Sequence, residues 1–215
     1  MEYIKICGLK NIEDVNLCRK HGASAVGFIY NVPESPRNLK KADIEGILKD
    51  VSRDLITVTV FKPQNFDDIK KVAEEIKTNY YQVLCSFELN QLEGLSEPIR
   101  NKLIVALNVN QSSKESMIGF INNSFDKFFA FLIDSSEGYG KLLNYDLIKE
   151  ILNNCNEAKI IVAGGINEKN IESLLSIDNL FGIDVSSSLE SEKGVKNPKL
   201  IKSFLNEVNN IIKNM

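Results

Sequence analysis

The sequence predicts an α/β protein folded as a single-domain (β/α)₈ barrel over residues 1–215. Three observations predict it. Eight short runs rich in Val, Ile, Phe and Tyr recur along the chain, and several are apolar at consecutive positions. Strands read this way when both faces of a parallel sheet are covered. Longer segments with apolar residues at helical spacing lie between the runs. The strand-plus-helix unit repeats about every 27 residues with no linker, low-complexity tract or change in composition. Eightfold alternation at this length favours a closed barrel, and an open doubly wound sheet is the alternative, because alternation alone does not show closure.

The elements follow in order. YIKIC (3–7) leads into NIEDVNLCRKHG, whose Ile12, Val15, Leu17 and Cys18 share one side and whose Gly22 is a good helix stop. AVGFIY (25–30) and LITVTVF (55–61) are the second and third strands. FDDIKKVAEEIKT then spaces Ile69, Val72, Ala73 and Ile76 at helical intervals, with acids early in the segment. YYQVLC (80–85) is followed by the weakest helix, ELNQLEGLSEPIRN, which Gly94 and Pro98 break. KLIVALNV (102–109) and KFFAFLID (127–134) precede the helical NYDLIKEILNN. KIIVAGG (159–165), NEKNIESLLSI and LFGIDVS (180–186) continue the alternation. The last segment, NPKLIKSFLNEVNNIIKN, carries Pro198 in its first turn, where the missing N–H is harmless.

Composition excludes several classes. With 43% hydrophobic and 26% charged residues and a net charge of −3, the chain reads as globular and not as one built to hold nucleic acid. No run approaches the roughly 20 apolar residues of a membrane helix. The first residues enter an apolar alternation without a basic region or cleavage pattern, so a cytoplasmic location with reduced thiols is expected. The four cysteines, at 7, 18, 85 and 155, form no C-x-x-C pair, and His21 is the one histidine. That set does not make a zinc site.

A barrel gathers its chemistry at the carboxyl ends of its strands. Those ends carry Cys7-Gly8, Arg37 in NVPESPRN, Cys85, Asp134, Gly164-Gly165, and Asp184 followed by Ser186, Ser187 and Ser188. Gly-rich and Ser-rich loops after strands seven and eight suit a phosphate, since exposed backbone N–H groups there can face an oxyanion. A tight turn and a serine cap are the plain alternative, and the pairing of the two loops favours phosphate. Asp134 closes a strongly apolar strand and reads as an acid or base, or as an N-cap or loop ion pair. Asp184 suits either loop backbone or substrate hydroxyls. Arg37 follows a proline that extends its loop, and its planar fork suits a carboxylate unless it is a solvated surface group. Cys18 reads as core, Cys155 carries no signal, and His21 reads as structural.

KICGLKNIEDV, SPR, LIDSSEGYGKLLNYDLI, VAGGINEKNI and GIDVSSSLESEKGVKNPKLI together resemble the phosphoribosylanthranilate isomerases of tryptophan biosynthesis, in order along essentially the whole chain. The resemblance implies a TIM barrel and a cofactor-free Amadori rearrangement of N-(5-phosphoribosyl)anthranilate to the aminoketone. It implies Cys7 as general base and Asp134 as general acid, with Arg37 on the anthranilate carboxylate and Asp184 on the sugar. Gly164, Gly165, Ser186 and Ser187 are implied to hold the phosphate. The partner expected is a phosphorylated small molecule, with no metal, nucleic acid or membrane, and the chain could be a monomer or homodimer. Two departures stand out: VLCS, with Cys85, where the family usually has QLHG, and EGYGKLLNY after strand six. A non-catalytic phosphate-binding barrel and another sugar-phosphate isomerase are the rival readings. The lone His21 disfavours metal-dependent epimerases and histidine-dependent isomerases.

Overall fold

The computed structural model describes residues 1–134 and 144–215. Among these residues eight strands form the main sheet: β1 (Tyr3–Cys7), β2 (Ala25–Tyr30), β3 (Ile56–Phe61), β4 (Tyr80–Val83), β5 (Leu103–Asn108), β6 (Ala130–Asp134), β7 (Ile160–Ala163) and β8 (Gly182–Val185). Each pairs in parallel with the next. The first strand also pairs with the last, Ile6 opposite Val185, and this closes the ring. Closure removes the alternative of an open sheet and leaves the barrel strands without a free edge. A two-residue strand, Asn38–Leu39, flanks β2, and a small hairpin, Glu190–Glu192 with Val195–Lys196, follows β8.

The helices are α1 (Ile12–Lys20), α2 (Lys41–Leu48), α3 (Phe66–Glu75), α4 (Glu97–Arg100), α5 (Lys114–Ser124), α6 (Tyr145–Asn154), α7 (Ile171–Leu175) and α8 (Pro198–Asn214). Two of them, α2 and α5, lie where the sequence offered no marked periodicity. The reason is a narrow buried stripe: Ile44 and Ile47 in α2, Ile121 and Ser124 in α5. Four helices begin on asparagine caps, Asn11, Asn65, Asn144 and Asn197, whose side-chain oxygens accept N–H groups of the first turn. The weak segment after β4 splits into a 3₁₀ turn, Leu89–Gly94, and the short α4, which has Pro98 in its first turn.

Strand alternation divides the apolar residues into two cores. Ile4, Ile6, Val83, Phe131, Ile133 and Val162 pack outward against the helices. Tyr3, Val58, Ile104, Ala130, Leu132 and Ile161 fill the barrel. Aromatic rings plug its amino-terminal end: Tyr3 stacks on Phe181 at 5.8 Å between centroids and Tyr80 on Phe129 at 3.7 Å. Gly182 makes room for this plug, because a side chain there would overlap the main chain and Cβ of Tyr3. At the other end the register sets Asp134 beside Ala163 and Ala163 beside Asp184. The same inward parity on β1 brings Lys5 and Cys7 to this end, so a polar layer sits on an apolar plug.

Candidate active site

The polar layer opens into a cavity of about 390 Å³. Cys7, Arg37, Asp134 and Asp184 all line it, as do Gly164–Gly165 and Ser186–Ser187. Every site residue expected from the sequence therefore lines one mouth. Cys85 does not. It lies past the end of β4 and packs with the helix-side core, and burial pushes its thiol up to about 12. Inward parity on that strand belongs to Gln82 and Leu84. Read from Gln82, the stretch is QVLC, which keeps the glutamine of QLHG and puts Leu84, not Cys85, at the histidine position. The correction follows from strand alternation: a shift of one residue turns the side chain through the sheet. Residues 137–143 of EGYGKLLNY lie outside the described residues.

Cys7 ends β1 because the next residue leaves the extended conformation: Gly8 has φ 78°. The N–H groups of Gly8 and Leu9 both donate to the carbonyl of Gly27, at 2.9 and 3.1 Å. A side chain at Gly8 would run into the aliphatic stem of Arg37. The Cys7 thiol is buried, and burial pushes it up from its ordinary range, as does Asp184, while Lys5 and Lys196 draw it down. Beneath it lies Lys5, fully buried, with Nζ donating to Asp184 Oδ2 at 2.6 Å. Burial works against the ammonium of Lys5, yet Asp184 and Cys7 outweigh it and hold the group charged.

Arg37 is gripped from the side. Its Nε and Nη2 donate to the two oxygens of Glu190 at 2.6 and 2.7 Å. Glu190 also accepts from Lys196 Nζ at 2.9 Å and from the Gly194 N–H at 3.0 Å. Burial pushes the Glu190 carboxyl up, but Arg37, Lys196 and Gly194 together hold it at about 2. Glu190 occupies one edge of the fork while Arg37 lines the cavity, so the hairpin after β8 fixes how the fork is held. Sequence reasoning passed over both Glu190 and Lys196. Their distance from Arg37 along the chain hides the contact.

The loop after β7 turns through two left-handed glycines, Gly164 (φ 88°) and Gly165 (φ 66°). The side chains of Asn167 and Asn170 both donate to the Gly165 carbonyl, at 2.9 and 2.8 Å, which fixes that peptide's orientation. Ser186 is already engaged: its hydroxyl donates to the Cys7 carbonyl at 3.0 Å and accepts from Lys196 at 3.3 Å. Within this loop the Ser188 hydroxyl is buried without a hydrogen-bond partner among the described residues. Gln82 Oε1 and Asp184 Oδ1 share that condition. All three residues line the same cavity. Buried polar atoms are rarely left unpaired, so three around one mouth mark a site made for a polar ligand.

Elsewhere the structure agrees with the plain readings. Cys18 is buried under α1, and its thiol is pushed to about 12 by burial. Cys155 is buried at the end of α6. His21 follows α1, its Nδ1 lying 3.2 Å from Asn206 and its carbonyl accepting from Asn209. Among the described residues no helix is long and apolar enough to cross a membrane.

Comparison with known proteins points the same way. The family model for N-(5'-phosphoribosyl)anthranilate (PRA) isomerase matches residues 4–207. The N-(5'-phosphoribosyl)anthranilate isomerase of Aquifex aeolicus is 30% identical, over 95% of this chain and 97% of its own length. The crystal structure of phosphoribosyl anthranilate isomerase from Thermotoga maritima superposes with a TM-score of 0.83 at 27% identity, covering 98% of this chain and all of that one. A phosphoribosyl anthranilate isomerase in complex with reduced 1-(o-carboxyphenylamino)-1-deoxyribulose 5-phosphate gives 0.81 at 26% identity, covering 98% and 100%. Fold, mouth and motifs agree with these matches, and the chain belongs to the phosphoribosylanthranilate isomerase family.

Proposed function

We propose that this mouth isomerises N-(5-phosphoribosyl)anthranilate to 1-(2-carboxyphenylamino)-1-deoxyribulose 5-phosphate, with Cys7 as general base and Asp134 as general acid. One observation carries the assignment: a thiol and a carboxylate from different strands share a cavity whose rim includes the two loops suited to phosphate. A protonated Asp134 gives its proton to the furanose oxygen as the C1′–O bond breaks and the anthranilate nitrogen forms the iminium. The iminium makes the C2′ hydrogen acidic, and the Cys7 thiolate removes it. The electron pair moves to nitrogen, leaving an enolamine that tautomerises to the aminoketone. One proton is given and one is taken, so the step balances without a metal or redox cofactor.

The remaining residues hold the substrate in this reading. Arg37 meets the anthranilate carboxylate with the part of its fork that Glu190 leaves open. Asp184 Oδ1 and Gln82 accept sugar hydroxyls. The backbone at Gly164–Gly165 and Ser186–Ser187, with the Ser188 hydroxyl, holds the phosphate. The substrate is a small phosphorylated molecule, and a cytoplasmic location suits an enzyme using a reduced thiol as base.

The test is turnover of freshly made phosphoribosylanthranilate, followed by loss of its fluorescence without added metal or nucleotide. Cys7→Ala and Asp134→Asn are each expected to lower kcat by about 10²–10⁴-fold while the circular dichroism spectrum is kept. Near-normal turnover by both variants would remove the role assignment. Saturable binding without turnover by the unmutated chain would favour a binding barrel.

A further inference from the structure

We propose that Lys5 is a positioning residue for the base: its buried ammonium, lodged beside both Asp184 and Cys7, is the fixed counter-charge against which the Cys7 thiolate forms. The inference rests on the reading of Cys7 as base and adds a residue that reading does not include.

The geometry is specific. Lys5 has no exposed surface, and its Nζ lies 2.6 Å from Asp184 Oδ2. On the neighbouring strand Gly27 stands opposite Cys7. A Cβ placed on Gly27 would lie 3.0 Å from Cys7 Sγ and 3.3 Å from Lys5 Nζ, so the sulfur and the ammonium flank the same small space. The absence of a side chain at Gly27 gives the two groups room on the barrel wall.

Stability does not explain a lysine there. Taking a charged pair out of water carries a desolvation cost, and well-packed apolar residues in its place are often neutral or stabilising. A leucine and an alanine would fill the barrel with less electrostatic cost. The pair does have an electrostatic consequence for the sulfur. Asp184 disfavours a second negative charge at Cys7, and Lys5 favours it. Placing both charges together means the thiolate forms beside a cation, which low local dielectric makes more effective than in water.

The other charged and titratable groups facing Cys7 come from every neighbouring element. Tyr3 lies below it on β1, and Lys196 reaches it from the hairpin after β8. Arg37 faces it from the loop after β2. Asp134 acts on Asp184 from across the mouth. Lys196 and Arg37 are committed to Glu190, each through a direct hydrogen bond. Lys5 is therefore the cation whose partner is also a neighbour of the sulfur.

The experiment reads the thiol itself. Iodoacetamide alkylation of the full chain, quantified on the Cys7 peptide by mass spectrometry across pH, gives the thiolate fraction independently of turnover. In Lys5→Met the alkylation curve is expected to move to higher pH, with about tenfold slower labelling near neutral pH. In Asp184→Asn, which keeps the cation and removes the opposing charge, it is expected to move to lower pH with several-fold faster labelling. Lys5→Arg should restore much of the unmutated curve. If Lys5→Met alone does not fold, Lys5→Met in the Asp184→Asn background, where no buried charge is left unpaired, is expected to label Cys7 more slowly than Asp184→Asn alone, and equal labelling of the two would overturn the proposal. Unchanged Cys7 curves in the folded variants would overturn the proposal, as would a Lys5→Met variant that loses turnover with its Cys7 titration intact. Failure of the base assignment is read separately, by turnover of Cys7→Ala.

Discussion

At the scale of the residue, the site is a set of charges held in small spaces. Cys7 sits at the bottom of the mouth with its thiol raised by burial and by Asp184, only partly offset by Lys5 and Lys196. The sign for activity follows. A base must be deprotonated and the acid protonated, so kcat/KM should have two limbs, and the limb that reports Cys7 should lie above the ordinary thiol range, since a raised pKa keeps that group protonated over a wider range. Initial rates at limiting substrate across pH check this, and a profile with both limbs in the acid range would contradict it. The same scale explains the short path from strand to turn at Cys7-Gly8. Glycine there is required both by its left-handed backbone and by the stem of Arg37 packed over it.

At the scale of the element, the hairpin after β8 is the brace that points Arg37. Glu190 binds Arg37 side-on, Lys196 joins Glu190 to the Ser186 carbonyl, and Gly194 lies too close to Pro36 to carry a side chain. Replacing Glu190 with Gln should raise KM for phosphoribosylanthranilate about tenfold, with a smaller change in kcat, because the fork loses its aim and not its charge. Steady-state kinetics on the variant measure it. The brace also makes a linkage prediction. Glu190 titrates at about 2 against an ordinary 4.5, so its stabilisation is fully present above the unfolded value and is lost as pH falls toward the folded one. Urea unfolding of the unmutated chain and Glu190→Gln should therefore differ by up to about 3 kcal/mol at neutral pH and converge as pH falls from about 4.5 toward 2.

At the scale of the whole molecule, closure of the sheet separates stability from chemistry. The amino-terminal end is an aromatic plug of Tyr3, Tyr80, Phe129 and Phe181, and the carboxyl end is the polar mouth. A change in the plug should alter stability and leave the mouth intact. Gly182→Ala forces a methyl group against the Tyr3 main chain and is expected to cost about 1–3 kcal/mol or more in equilibrium unfolding. The folded fraction should keep near-normal kcat, which a turnover assay well below the melting transition tests.

The repeat of strand and helix, the strand ends and the identities of Cys7, Arg37, Asp134 and Asp184 were legible from local pattern, because period and turn chemistry are properties of neighbouring residues. So were the paired small-residue loops at Gly164–Gly165 and Ser186–Ser187. The narrow stripes of α2 and α5 were not, since their burial depends on what packs against them. Nor was the inward role of Gln82 and Leu84 in place of Cys85, which a single step of strand register decides. Ring closure, the grip of Glu190 on Arg37 and the burial of Lys5 against Asp184 belong to tertiary structure alone. Each joins residues from opposite ends of the chain, and only the closed barrel brings β1 beside β8.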